Sequence, residues 1–149
     1  MKKEIILKEL QLKDLQPSQF YISKDKIEAI LKWFKPNDLS NFNPIPIKLL
    51  NGKLVMTDGH TRAVVAIMHG LDKVPIVLES DDLSWDMYEK CVEECIKRDI
   101  KSPYDLLNQI VDKATYHEKW DKWCDNMQKE FEKWGIAYWK IFAFINLVR

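Results

Sequence analysis

Two apolar runs in the first half of the chain, Pro44-Ile45-Pro46-Ile47-Lys48-Leu49-Leu50 and Lys53-Leu54-Val55-Met56-Thr57, are separated by Asn51-Gly52 alone. Both turn residues tolerate positive φ, so the pattern predicts two strands joined by a tight type I′ hairpin. After a polar interval, Ala63-Val64-Val65-Ala66-Ile67-Met68-His69 predicts a helix closed by Gly70, the residue type best suited to a left-handed cap. Val74-Pro75-Ile76-Val77-Leu78 predicts a further strand. Upstream, Leu10 to Gln19 predicts a strand ending in a turn marked by Pro17. Ser23 then opens a helix with Ile27, Ile30, Leu31 and Phe34 on one face, ended by Pro36.

Past Ser80 the pattern becomes helical. Asp81-Asp82-Leu83-Ser84 starts a tract running to about Lys97, with Trp85, Tyr88, Val92, Cys95 and Ile96 as its apolar stripe and acidic residues near its start. Ser102-Pro103 marks another helix start, with Leu106, Leu107, Ile110 and Val111 spaced for one buried face. A third tract, from about Ala114 to Trp134, sets Tyr116, Trp120, Trp123, Met127 and Phe131 on one stripe. No internal repeat and no low-complexity linker divides the chain. The expected organisation is an α/β (α+β) domain over residues 1–80, a small mixed sheet with helices, and a helical extension over 81–149 packed against it.

Candidate chemistry concentrates between the second hairpin strand and the helix after it, in Thr57-Asp58-Gly59-His60-Thr61-Arg62-Ala63. A helix N-terminus offers unpaired N–H groups and a partial positive charge, which suits phosphate or another anion. Gly59 would let backbone approach such a ligand, Thr61 would donate its hydroxyl, and Arg62 would fork onto two oxygens. His60 has the chemistry to bond a phosphate, carry a proton near neutral pH, or pair with Asp58. Asp58 suits two tasks, capping the helix and holding Mg²⁺ beside a phosphate. The same residues also suit an ordinary helix start, with Asp58 as cap, Gly59 as turn residue and Arg62 solvated.

In order and spacing, Leu15-Gln16-Pro17-Ser18, Pro44-Ile45-Pro46-Ile47, Asp58-Gly59-His60-Thr61-Arg62-Ala63, Gly70 and Val74-Pro75-Ile76-Val77 resemble the ParB/sulfiredoxin superfamily across about residues 1–80. The resemblance implies a ParB/sulfiredoxin-like fold and a nucleotide whose phosphates meet Asp58, Gly59, His60, Thr61 and Arg62: ATP or ADP first, CTP next, with Mg²⁺ at Asp58. Sulfiredoxins carry a catalytic Cys in this loop, whereas the first Cys here is Cys91. ParB partition proteins carry a Gly-Glu-Arg-Arg type loop and then a helix-turn-helix, which the second half here does not resemble. The Asp-Gly-His-x-Arg form is most similar to ParB-like serine kinases, which implies phosphoryl transfer to a small hydroxylated metabolite such as serine, with His60 and Asp58 as catalytic candidates. Those kinases place a Glu near the end of the first strand, where this chain has Gln19. The alternative is a non-catalytic ParB-like interaction protein or one related to DNA partition. Trp85, just past the last strand of the first half, is placed to close over a base or substrate, or else to anchor the two halves.

Charge narrows the partners. The 149-residue chain has 23 Lys plus Arg against 23 Asp plus Glu, and so no excess positive charge to steer it toward nucleic acid. No apolar run approaches a membrane span, and the N-terminal run is too short for a secretory signal, so a cytoplasmic protein is expected. Cys91 and Cys95 are four apart and, with His117 or Cys124, have the residue types of a zinc site. Both also fall on an apolar stripe, which reads as buried free thiols. The apolar tail from Ile136 to Arg149 suits docking on its own core, with a homodimer contact as the second expectation.

Overall fold

The structure, a computed structural model, describes residues 6–133. Its architecture is mixed α+β. Five strands, β1 (Ile6–Gln11), β2 (Leu15–Gln16), β4 (Ile45–Leu50), β5 (Lys53–Met56) and β6 (Lys73–Leu78), form one sheet in the order β1-β6-β4-β5-β2. β1 runs antiparallel to β6, and β4 antiparallel to β5, whereas β4 with β6 and β2 with β5 are parallel. A separate parallel pair joins β3 (Ile22–Ser23) to β7 (Ile110–Val111).

Local chemistry accounts for most of these elements. The β4–β5 hairpin turns at Asn51 and Gly52, whose φ values of 49° and 77° are those of the expected turn, and its register is Leu50 opposite Lys53. Pro75 has no N–H to offer, and the β1–β6 ladder is irregular in that region, between Leu7 and Leu10. Helix α1 (Lys24–Leu31) starts after Ser23, and α2 (His60–Met68) starts after Gly59. Gly70, at φ 82°, closes α2: its N–H bonds Ile67 O and that of Leu71 bonds Ala66 O, the paired bonds of a Schellman motif. Ala63, Val64, Val65 and Ala66 are all buried, which makes α2 the central helix of the first half.

Helix α3 (Trp85–Lys97) starts after Ser84, without a side-chain cap bond, and ends at Asp99, which adopts φ 59° where Gly is the usual occupant. A 3₁₀ turn (Pro103–Asn108), β7 and α4 (Lys113–Tyr116) follow. A π turn (His117–Asp121) then leads into α5 (Lys122–Lys133). One hydrophobic core runs through both halves, with Phe20, Leu12, Leu15, Ile45 and Val64 beside Tyr88, Cys91, Leu106 and Trp120. The ring of Phe20 meets Trp120 edge-on at 4.8 Å and Trp123 at 5.0 Å.

Four expectations are corrected. The first strand lies earlier, at Ile6–Gln11, and a 3₁₀ turn separates it from the two-residue β2. Ile110 and Val111 form a strand instead of extending the Ser102-Pro103 helix, because Ile22 and Ser23 supply backbone partners. The Asp81 tract becomes helical only at Trp85, and α1 ends at Leu31, five residues before Pro36. The tail Ile136–Arg149 lies outside the described residues. Among the described residues no helix is long and apolar enough to cross a membrane.

Candidate functional site

The loop between β5 and α2 is held from three directions. The Thr57 N–H bonds Pro46 O at 3.0 Å, its hydroxyl donates to Glu79 at 2.8 Å, and the Tyr88 hydroxyl donates to its carbonyl at 3.0 Å. Gly59 follows in the left-handed region, at φ 81°. A β-carbon there would lie 2.8 Å from Nη2 of Arg62 and 3.2 Å from its Cζ. Its conformation calls for glycine, and the guanidinium of Arg62 lies in the space that a side chain would occupy.

The turn Pro17-Ser18-Gln19 packs on the start of α2. The Ser18 N–H donates to Nε2 of His60 at 3.0 Å, and the Ser18 hydroxyl donates to Met56 O at 2.6 Å. Because Nε2 accepts, the neutral ring carries its proton on Nδ1. Burial, then the charges of Arg62 and Lys26, push the His60 pKa down to about 3. Burial and the Ser18 bond thus favour a neutral imidazole at His60, which weighs against its expected role as a proton carrier near neutral pH.

A cleft of about 290 Å³ opens at this end of α2, lined by Gln19, Lys26, Asp58, Gly59, His60, Thr61 and Arg62, with α1 as one wall. The first helical bond of α2 comes from Ala63 N–H to Gly59 O. No hydrogen bond among the described residues engages the N–H groups of His60, Thr61 or Arg62. The half-buried Arg62 donates from Nη2 to Pro44 O at a long 3.4 Å, and its buried Nε has no partner among the described residues. Burial lowers the Arg62 pKa and the Asp58 carboxylate opposes that, yet a guanidinium stays charged. Lys26 shows the same balance: burial lowers its pKa, while Asp121, Asp58 and Cys124 raise it. The cleft therefore sets two cations against one carboxylate.

Asp58 does not cap α2, because the capping position belongs to Gly59 and no side-chain cap bond forms there. With Arg62 it also borders a neighbouring cleft of about 400 Å³ that includes Pro44, Glu79 and Asp81. Trp85 lines neither cleft. It stands at the first turn of α3, with the Lys48 ammonium 4.9 Å from its ring and Tyr88 at 5.7 Å, packed against the core.

Sequence reasoning missed Lys26 as a cleft residue, since an exposed-face lysine on α1 carries no local signal. It singled out Gln19 only as a substitution for Glu. In the structure Gln19 is buried, and its amide donates to Tyr21 O at 2.7 Å and to the Tyr116 hydroxyl at 3.2 Å.

Among the described residues no group of three or more His, Cys, Asp or Glu side chains stands ready to hold a metal ion. Cys91, Cys95 and Cys124 are free and buried, which favours the packing reading over zinc. A Mg²⁺ at Asp58 would depend on oxygens brought by the ligand.

No family model and no curated protein matches the chain. Among solved structures it is similar to the crystal structure of protein Atu1540 from Agrobacterium tumefaciens, at 13% identity with a TM-score of 0.45, over 70% of this chain and 62% of that one. The chain thus spans somewhat under two thirds of that protein's length.

Proposed function

We propose that this protein binds a phosphorylated ligand, and specifically the phosphate chain of a nucleotide, in the cleft at the N-terminus of α2. The observation that carries the reading is the set of N–H groups at His60, Thr61 and Arg62 that no bond among the described residues engages, beside a guanidinium whose Nε lacks a partner among them. Backbone donors at a helix start favour an anion, and a desolvated Arg next to them adds charge-assisted bonds. Lys26 supplies a second cation from α1.

At about 290 Å³ the cleft is near the lower end of ligand pockets, which suits phosphates better than a whole nucleotide. The base would lie beyond it. ATP or ADP is the first candidate and CTP the next, in keeping with the ParB/sulfiredoxin resemblance. Asp58 would hold Mg²⁺ together with phosphate oxygens, and the bound nucleotide would supply most of the ion's coordination.

Phosphoryl transfer to a hydroxylated metabolite such as serine needs a group to accept the hydroxyl proton. Gln19 has no such capacity, and His60 has its Nε2 engaged and its pKa near 3. Asp58 is the one carboxylate on the cleft among the described residues, and it would have to serve both metal and proton. This favours a nucleotide-binding module over a kinase.

The test is calorimetric titration with ATP, ADP and CTP in Mg²⁺, beside an assay of turnover with and without serine. Saturable binding that Arg62→Ala weakens by about tenfold or more, without turnover, is the expected result. Absence of binding to all three nucleotides at millimolar concentration overturns the reading, and serine-dependent turnover overturns the module in favour of the kinase.

A further inference from the structure

Tyr116 lies in the second half of the chain and outside the cleft lining, yet its phenol oxygen is bound to the cleft from two sides. The Lys26 ammonium donates to it at 3.1 Å and the Gln19 amide at 3.2 Å. The same ammonium lies 4.8 Å from the centre of the Tyr116 ring. Tyr116 is buried, so these contacts form where water competes poorly.

Several elements converge to put that oxygen there. The β3–β7 pairing sets Ile22 opposite Ile110, so the chain leaving β7 enters α4 beside the start of α1. Asp112 caps α4 by accepting the Thr115 N–H at 2.8 Å. The π turn that begins immediately after Tyr116 leaves both Tyr116 and Trp120 buried, with Trp120 against Phe20. Single π turns inside helices are frequent at functional sites.

A lysine side chain loses considerable rotamer freedom when it is fixed, and a phenol oxygen within hydrogen-bond distance of its ammonium offsets part of that loss. We infer that Tyr116 is a positioning residue of the anion cleft, whose phenol oxygen holds the Lys26 ammonium and the Gln19 amide at the cleft wall so that the second half of the chain completes the binding site. The inference rests on the phosphate reading for its functional consequence, but the positioning itself can be read without any ligand.

Two measurements decide it. The first needs no ligand: the pH titration of Lys26, followed by NMR at its ε-methylene, in wild type and Tyr116→Phe. Asp121, Asp58 and Cys124 also act on this ammonium and are untouched by the substitution. Loss of the phenol oxygen removes an acceptor from the charged form, so the Lys26 midpoint moves to lower pH. An unmoved midpoint overturns the positioning role.

The second is a double-mutant cycle with MgATP as probe, using Tyr116→Phe, Lys26→Met and the pair. Tyr116→Phe weakens MgATP by about three- to tenfold in the wild-type background and has no further effect once Lys26 is Met. An equal loss in both backgrounds identifies a merely structural residue and overturns the inference. If wild-type protein binds no MgATP while the Lys26 midpoint still moves, the phosphate reading fails and the positioning stands.

Discussion

Nε2 of His60 accepts the Ser18 backbone N–H at 3.0 Å, across 42 residues of sequence, and this one bond ties the Pro17 turn to the start of α2. A protonated ring has no lone pair at Nε2, so the bond exists only while the imidazole is neutral. Its pH dependence follows with a definite sign. The unfolded chain takes up the proton at the ordinary 6.5, and the folded chain only at about 3. Stability from this group is complete above pH 6.5 and is lost progressively as pH falls from there toward 3. Chemical denaturation of wild type from pH 7 to 4.5 therefore shows an extra uptake of about one proton on unfolding. His60→Gln, which keeps an acceptor but cannot titrate, removes that dependence. Equal slopes for the two proteins would exclude a buried neutral His60.

Gly59→Ala places a methyl group against the Arg62 guanidinium at a backbone conformation that L residues rarely adopt. The guanidinium is the far end of a flexible side chain and can move away. The expected loss of stability is therefore about 1–2 kcal/mol, from the backbone alone. Nucleotide affinity falls with the displaced Arg62, as titration calorimetry of the variant measures.

Trp120 is fully buried between Phe20 and Trp123, its ring against the first from the turn before β3 and stacked on the second at 5.7 Å. Trp120→Ala costs about 3–5 kcal/mol. Because the core is shared by both halves, tryptophan fluorescence and far-ultraviolet dichroism are expected to give coincident unfolding transitions, before and after the substitution. Two separate transitions in wild type would mean that the halves fold independently.

All three thiols are buried, and burial raises the pKa of Cys91 and Cys95. In the native protein a charged aromatic disulfide reagent should label none of them, and in denaturant all three. Rapid native labelling would place at least one thiol at the surface.

What could be read from the chain was whatever short-range chemistry decides. Asn51-Gly52, Gly70 and the Ala63–Ala66 run each specify their element within a few residues; the hairpin and β6 formed where expected, and α2 did too except that it starts three residues earlier, at His60. Asp99 closes α3 by the same left-handed device as Gly70, but a carboxylate in that position gives no local warning. β7 is two residues long, too short for any periodicity, and exists because Ile22 and Ser23 lie alongside it. At the site, the polar loop was legible and its electrostatics were not. The neutrality of His60 depends on burial and on Ser18, and the arrival of Lys26 depends on α1 packing against α2, neither of which is written in the spacing of residues 57–63.

The segment from Gln16 to Lys26 is fastened in part to the hairpin and α2, through Ser18, and in part to partners made much later in synthesis. Gln16 reaches the carbonyl of Ile100, Phe20 O receives the amide of Gln109, and Gln19 and Lys26 both meet Tyr116. Closing chain loops of that length is entropically slow, and a ribosome delivers the later partners last. A nascent chain that has already made its hairpin and central helix therefore holds this segment only by its earlier anchors. Those last anchors are made only when the fourth helix emerges, so translation products truncated before it would be partly folded, with Gln19 and Lys26 lacking their Tyr116 contact.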